Sequence, residues 1–252
     1  MGSSGNLAAT LIYKPHATPA EAALRSFLAA NALFEALAIY VGRDKLSLKW
    51  PNDVLLNGGK VAGILLESSG TGASVDWLSI GIGVNLAAVP PAIEGAAFPP
   101  VSLVGEGGQT VTPETFLGVL ASNFATQEAK LAAMGFERIR QDWLRHAARI
   151  GEEITARTGR EEITGVFDTI DSEGNLVLIT AKGPRIIAAA KAALDSTRTR
   201  LLSGLAARLA ADLAVGDACP TCGSTEHPAL AVPPSDAATD DDVSDAERAY
   251  ET

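Results

Sequence analysis

The chain has 252 residues, 47% of them hydrophobic and 20% charged, with a formal net charge of −10 at pH 7. This is the composition of an ordinary soluble globular protein, and the acidic balance leaves no basic face for nucleic acid. No apolar run reaches about 18 residues without a charge or a glycine, which excludes a membrane-spanning helix.

In chain order, residues 7–13 read as a strand. Thr18-Pro19-Ala20-Glu21 then opens a helix: Thr18 caps, Pro19 suits the first helical position, and Glu21 closes a capping box. Leu24, Phe27, Leu28, Phe34, Leu37 and Val41 give that helix an apolar face, and Gly42 is placed to end it. Strand-like pieces follow at 46–50, 54–56 and 61–66, the last two flanking Asn57-Gly58-Gly59, a hairpin signal. A fourth strand at 77–86 contains Gly81 and Gly83, which suggests close approach of something to its backbone. Thr112-Pro113 starts a helix ending near Met134-Gly135, and a shorter helix runs through Trp143 to Ile150.

From Gly151 the pattern changes to short β segments at 153–156, 163–170, 176–180 and 185–188, with a turn at 171–174, the signature of a small antiparallel barrel. Near Ala189 the composition shifts again. Residues 190–214 are rich in Ala, Leu and Arg, with Leu201, Leu205, Leu209 and Leu213 in one helical stripe. Three regions are therefore expected: a main domain at 1–148, a small β domain at 149–189 and a helical tail at 190–252. Cys219 and Cys222, the only cysteines, sit in that tail. One such pair makes no disulfide framework and fits a reducing cytosol, so a cytoplasmic location is expected. Residues 1–5 have neither the basic nor the apolar region of a signal peptide.

The densest chemistry lies in Lys49-Trp50-Pro51-Asn52-Asp53 and, seven residues after Asp53, in Lys60. The Asn57-Gly58 turn brings Asp53 and Lys60 back towards each other. Read on chemistry alone, the pair is either a surface ion pair worth under ~1 kcal/mol, or a carboxylate holding a lysine charged and oriented to neutralise a phosphate or an oxyanion. Trp50, an aromatic beside a proline, reads as core packing. Asn31 reads as a satisfied buried amide. His16, His146 and His227 stand apart from one another and suggest no catalytic triad.

Lys49 to Asp53, then Gly59-Lys60-Val61-Ala62-Gly63-Ile64-Leu65, then Gly81-Ile82-Gly83-Val84-Asn85 resemble, in order and spacing, three successive motifs of the biotin–protein ligase family. The resemblance covers roughly residues 5–188. It implies an α+β fold: a mixed sheet with helices, related to class II aminoacyl-tRNA synthetases, followed by a small SH3-like β-barrel. It also implies ATP, Mg²⁺ and biotin as reactants and a biotin carboxyl carrier domain as partner. On the matching positions, Lys60 resembles the lysine contacting both the biotin carboxylate and the phosphate. Asn52 and Asp53 resemble the polar pair supporting it and the nucleotide. Gly63, Gly81 and Gly83 resemble the backbone of the biotin pocket, and Asn85 the residue near metal and triphosphate. Lys49 is either nucleotide-facing or structural. The family carries an arginine- and glycine-rich loop upstream of the strand matching 7–13, and the chain starts about where that loop would end. A truncated core with weak adenylation is the expectation.

The tail has a resemblance of its own. Cys219-Pro220-Thr221-Cys222-Gly223, with its flanks, resembles the zinc-hook apex of an SMC-like ATPase subunit of bacterial DNA-break nucleases. Two such turns would give Zn²⁺ four thiolates and make a zinc-mediated homodimer. This supplies an alternative function, a metal-dependent dimerisation module beside an inert ligase remnant.

Overall fold

The computed structural model describes residues 5–69, 74–90, 98–158, 161–188 and 225. The chain begins with β1 (Leu7–Tyr13), followed by α1 (Pro19–Ala23) and α2 (Arg25–Leu37). Thr18 and Glu21 form the expected reciprocal capping box with Pro19 in the first turn. α2 ends at Leu37, five residues before Gly42. Ile39, Tyr40 and Val41 are poor helix formers, and the Tyr40 carbonyl accepts instead from the Gln109 amide at 2.9 Å.

After a short 3-10 turn come β2 (Leu46–Lys49), β3 (Asp53–Leu56), β4 (Gly59–Ser69) and β5 (Trp77–Val84). The β3–β4 loop is the two-residue turn Asn57-Gly58, with both φ values positive at 48° and 80°, as a hairpin matching the strand twist requires. The five strands lie in the order β1-β5-β4-β3-β2. Every ladder is antiparallel, so the mixed sheet expected from the resemblance is corrected to an antiparallel one among the described residues. Parallel contacts are confined to two isolated bridges, Leu48 with Ala147 and Lys60 with Pro100. The reason is local: the connections among β2, β3 and β4 are too short for a parallel crossover.

The sheet's apolar face, with Val54, Ala62, Ile64, Ile80 and Ile82, is buried in one cluster with α2 and α3 (Pro113–Leu144). Among the described elements α2 and α3 make the most extensive helix–helix contact, and Ala29, Ala30, Ala32 and Ala36 of α2 are fully buried. α3 is two helical pieces joined at Gly135 (φ 71°, ψ 177°), the break expected from Met134-Gly135. Tyr13 donates to Glu128 at 2.6 Å and Arg25 bonds the same carboxylate at 3.2 Å, tying β1 and α2 to α3.

A second sheet follows: β6 (Glu153–Thr158), β7 (Glu161–Ile170), β8 (Leu176–Thr180) and β9 (Gly183–Ile187), antiparallel in that order. β6 and β9 are not paired, so among the described residues this is an open meander where a closed barrel was expected. Its apolar face packs on the main domain instead of closing on itself: Phe167, Ile170, Leu176, Leu178 and Ile187 belong to the same buried cluster as Phe27 and Trp143. The Trp50 indole N–H donates to the Gly174 carbonyl (3.0 Å) and Arg140 to the Ile170 carbonyl (2.7 Å). The helical stripe expected at 190–214 and the rest of the tail lie outside the described residues. No helix among the described residues is long and apolar enough to cross a membrane.

Candidate active site

Alternation along the strands gives the sheet a second face, opposite the helices. Cross-strand pairing sets Ala8 beside Gly83, Gly83 beside Gly63, Gly63 beside Asp53, and Asp53 beside Lys49. This row is a nearly bare floor ending in a charged cluster. A Cβ on Gly83 would meet nothing within 4 Å, so the floor there is open. Above it lies a cleft of about 920 Å³, lined on one side by these strands and on the other by the small sheet, including Ala156, Phe167, Leu176 and Ile187.

Lys60 reaches the cluster through a bulge. Val54 pairs with Ala62, but Leu55 pairs with Lys60, so Val61 is the extra residue. In an unbroken strand Lys60 would share the core-facing side of Ala62 and Ile64. The bulge turns it to the face of Asp53 and Gly63. Its backbone is held on both sides: the Lys60 amide donates to Pro99 O (2.8 Å) and its carbonyl accepts from the Val101 amide (3.0 Å).

Asp53 is 8% exposed and bridges two cations, with Oδ1 2.8 Å from Lys60 Nζ and Oδ2 2.7 Å from Lys49 Nζ. Burial by itself would raise the Asp53 carboxyl. The ammonium groups of Lys49 and Lys60 outweigh it and hold the carboxyl below the usual carboxylate range. Two ammoniums on one carboxylate leave one surplus positive charge, and the Lys60 side chain, 46% exposed, presents it to the cleft. Such a group can bind and orient a carboxylate or phosphate oxygen. Gly63 leaves room for the arrangement: a Cβ there would lie 3.3 Å from Lys60 Cε and 3.4 Å from Nζ.

The other expected residues divide. Asn52 lines the cleft, but its amide N–H donates to the Ile64 carbonyl (2.8 Å), which anchors the loop to β4. Gly81 lies on the floor beside Leu65. Asn85 stands off the cleft lining, at the end of β5, where its amide donates to the Val101 carbonyl (3.0 Å) and braces the segment that bonds the Lys60 backbone. Trp50 packs against the core and also lines the cleft. His146 stacks on Phe34 away from the cleft. Asn31 is buried with only half its amide satisfied: the N–H bonds the Ile139 carbonyl, and Oδ1 has no partner among the described residues. Cys219, Cys222 and His227 lie outside the described residues. Among the described residues no group of three or more His, Cys, Asp or Glu is placed to hold a metal ion.

Sequence reasoning missed Phe98, over whose ring Lys49 Nζ sits at 5.5 Å, and the cleft-lining residues of the small sheet and of the segment before it, Arg149 among them. Ala8 and Thr10 were within reach, since they are the small residues that pair with Gly83 and Gly81.

Known proteins match along the same lines. Residues 1–85 match the model of the biotin/lipoate A/B protein ligase family, and residues 150–194 that of the biotin protein ligase C terminal domain. The biotin–[acetyl-CoA-carboxylase] ligase of Paracoccus denitrificans is 52% identical over 191 residues, spanning 75% of this chain and 80% of that one. The bifunctional ligase/repressor BirA of Bacillus subtilis is 29% identical over 178 residues, 69% of this chain and 54% of that one. In fold, the chain resembles the biotin protein ligase of Aquifex aeolicus, with a TM-score of 0.60 and 23% identity over 73% of this chain and 78% of that one.

Proposed function

This chain belongs to the biotin/lipoate A/B protein ligase family and is a biotin–protein ligase, and we propose that the cleft above the glycine floor carries out its two half-reactions. In the first, a biotin carboxylate oxygen attacks the α-phosphorus of ATP, giving biotinyl-5′-adenylate and pyrophosphate. In the second, a lysine amine of a biotin carboxyl carrier domain attacks the acyl carbon and AMP leaves with the bonding pair. The observation that carries this assignment is the single carboxylate of Asp53 holding Lys49 and Lys60 at the end of the bare floor. Joining two anions requires cations at the point of contact, and catalysis is mainly positioning and charge.

Lys60 neutralises the biotin carboxylate and the α-phosphate as they approach. Asp53 aims both lysines through its two oxygens. The floor of Gly63, Gly81 and Gly83 lets the flat bicyclic ring of biotin lie against the sheet. Lys49 faces the nucleotide, and Asn52 and Asn85 position the two segments that carry Asp53 and Lys60. Mg²⁺ enters with the ATP phosphates; with both Asp53 oxygens engaged by lysines, no protein ligand is assigned to it. The same reading takes the main sheet as synthetase-like and the small sheet as SH3-like. The cysteine pair of the tail lies past the last family-matched residue, 194. Its Cys-Pro-Thr-Cys sequence supports a separate proposal, Zn²⁺ shared between two chains through Cys219 and Cys222. Sedimentation with equimolar zinc and with a chelator tests it, and a chain that stays monomeric in both removes it.

Pyrophosphate release with biotin and ATP, followed by biotin transfer to a carrier domain, tests the main reading. Lys60→Ala is expected to lower adenylate formation by about 10²-fold or more, and Lys45→Ala, on the exposed 3-10 turn, to leave it near wild type. Equal losses from the two variants would reduce the Asp53–Lys60 pair to a surface ion pair.

A further inference from the structure

The charge of the ligase cleft is opposite in sign to that of the chain. Among the described residues four cations line it, Lys49 and Lys60 on the side of the main sheet and Arg149 and Arg157 on the side of the small one, against the single carboxylate of Asp53. The whole chain carries −10. Of the two arginines, Arg149 is fixed from both sheets. The segment before it runs parallel to β2: the Leu48 amide donates to the His146 carbonyl and the Ala148 amide to the Leu48 carbonyl, each at 2.7 Å. The segment after it is tied to β7, where the Gly151 amide donates to the Phe167 carbonyl (2.8 Å) and the Phe167 amide to the Glu152 carbonyl (2.9 Å). Arg149 therefore stands at the junction of the sheets, beside the strand end that carries Lys49.

Its backbone is strained. Arg149 has φ 61°, the left-handed region that disfavours any residue with a Cβ and that glycine adopts freely. A side chain held there has to offset that strain, and the contacts of Arg149 with the protein do little to do so. Nε donates to Glu152 (3.1 Å) and Nη2 to the Glu153 carbonyl (2.7 Å). The Glu152 pair is exposed on both sides, the class of ion pair that adds little stability. What the two bonds do is hold the planar guanidinium still. Nη1 makes no hydrogen bond among the described residues, so a pre-oriented donor remains for a ligand, and the fork of a guanidinium suits phosphate oxygens.

We propose that Arg149 binds the β- and γ-phosphates of ATP, and then the pyrophosphate that leaves, from the roof side of the cleft. This rests on reading the cleft as the ligase site. As a biotin carboxylate oxygen bonds to the α-phosphorus, the bond from that phosphorus to the bridging oxygen breaks and its electron pair goes to the departing pyrophosphate. A fixed cation beside that oxygen stabilises the charge it gains. The biotin carboxylate is a poorer partner for Arg149, because Lys60 already stands over the glycine row. The carrier domain is a poorer one too, because its lysine arrives after pyrophosphate has gone.

The experiment uses the whole chain and titrates ATP, AMP and biotin separately by calorimetry, with thermal unfolding alongside. Arg149→Gly should weaken ATP binding by about 10-fold or more, the effect of losing a charge-assisted hydrogen bond, and leave AMP and biotin binding unchanged. Arg149→Lys should recover part of the ATP affinity, since it restores the charge without the fork. The KM for ATP should rise with the dissociation constant while that for biotin stays. Because glycine relieves the strained backbone, Arg149→Gly should keep its unfolding midpoint within about 2 °C of wild type. Arg185→Ala, an exposed arginine of β9 outside the cleft lining, should change none of these. Equal losses for ATP, AMP and biotin with a lowered midpoint would make Arg149 structural and overturn the proposal. Unchanged ATP binding, or a defect confined to transfer to the carrier domain, would overturn it as well while leaving the cleft as the ligase site. A wild-type chain that bound neither biotin nor ATP would instead remove the reading of the cleft, and this proposal with it.

Discussion

On β4 and β5 the residues facing the helices are Ala62, Ile64, Ile80 and Ile82, and those facing the cleft are Gly63, Leu65, Gly81 and Gly83. The two sets alternate along the same strands, so one backbone serves both. On the helical side, side-chain volume removes water and holds the fold. On the cleft side, missing side chains make room for Lys60 and for a flat ligand, and the burial forgone there is offset by the packed face behind it. The difference implies that substitutions one residue apart fail in different ways, and this can be measured.

The largest expected effect is on the bare face. Gly63→Val places a branched side chain where even a Cβ would lie 3.3–3.4 Å from the Lys60 side chain. Lys60 is then displaced from Asp53, and a misplacement of about 1 Å in a positioned catalytic group costs on the order of 10² in rate. Adenylate formation should drop accordingly, while the unfolding midpoint falls only by what loosening one of Asp53's two ion pairs costs, less than in Ile64→Ala. Ile64→Ala, its neighbour on the packed face, should instead lose about 2–5 kcal/mol of stability and keep its activity per folded molecule. If Gly63→Val unfolds the protein as readily as Ile64→Ala, the two faces are not separable.

An intermediate effect is expected at Asp53, where the faces meet the charged cluster. Its folded pKa lies below the unfolded value. Its contribution to stability is therefore fully present above the unfolded value of about 3.9 and is lost as pH falls through that value towards the folded one. Asp53→Asn should remove this acid-side slope and lower stability at neutral pH by roughly 2–3 kcal/mol, the scale of charge-assisted hydrogen bonds to one buried group. Urea unfolding of both forms between about pH 3 and 7 reads the difference. Parallel curves would mean that Asp53 is not the group that couples the lysines to the fold.

What could be read before the structure was what depends on near neighbours in sequence. The capping box at Thr18, the turn at Asn57-Gly58 and the break at Gly135 each follow from a few adjacent residues and their backbone preferences. That Asp53 and Lys60 come back near each other was legible for the same reason, since a two-residue turn folds their two strands together. The bulge at Val61 was not, because it depends on how Leu55 and Lys60 settle against residues 99–101 of a distant segment. The roof of the cleft was also hidden. Phe167, Leu176 and Ile187 have the alternation of any half-buried sheet, and nothing local says that their inner face turns to the main domain instead of closing a barrel. Asn31 shows the same limit: its burial followed from the helix face, but its unpaired oxygen depends on α3.

The smallest expected effect concerns that roof. The Trp50 indole N–H reaches the Gly174 carbonyl in the β7–β8 turn, a polar tie between the cleft's charged loop and the small sheet. Gly174 sits at φ 83° with Phe27 so close that a Cβ would lie 2.7 Å from its ring, so the turn is already seated on the core by packing. Trp50→Phe removes the hydrogen bond and keeps an aromatic ring in the cleft wall. The loss should be about 1 kcal/mol, the net worth of one neutral hydrogen bond. Amide exchange is expected to quicken in β7 and β8 but not in β4 and β5, where the glycine floor is held by its own ladders. Adenylate formation, which on this reading depends on Lys60 and the floor, should change little. Transfer to the carrier domain, which requires a protein to approach the cleft past the roof, should change more. A loss confined to adenylation would mean that the roof, and not the floor, sets the geometry of the first step.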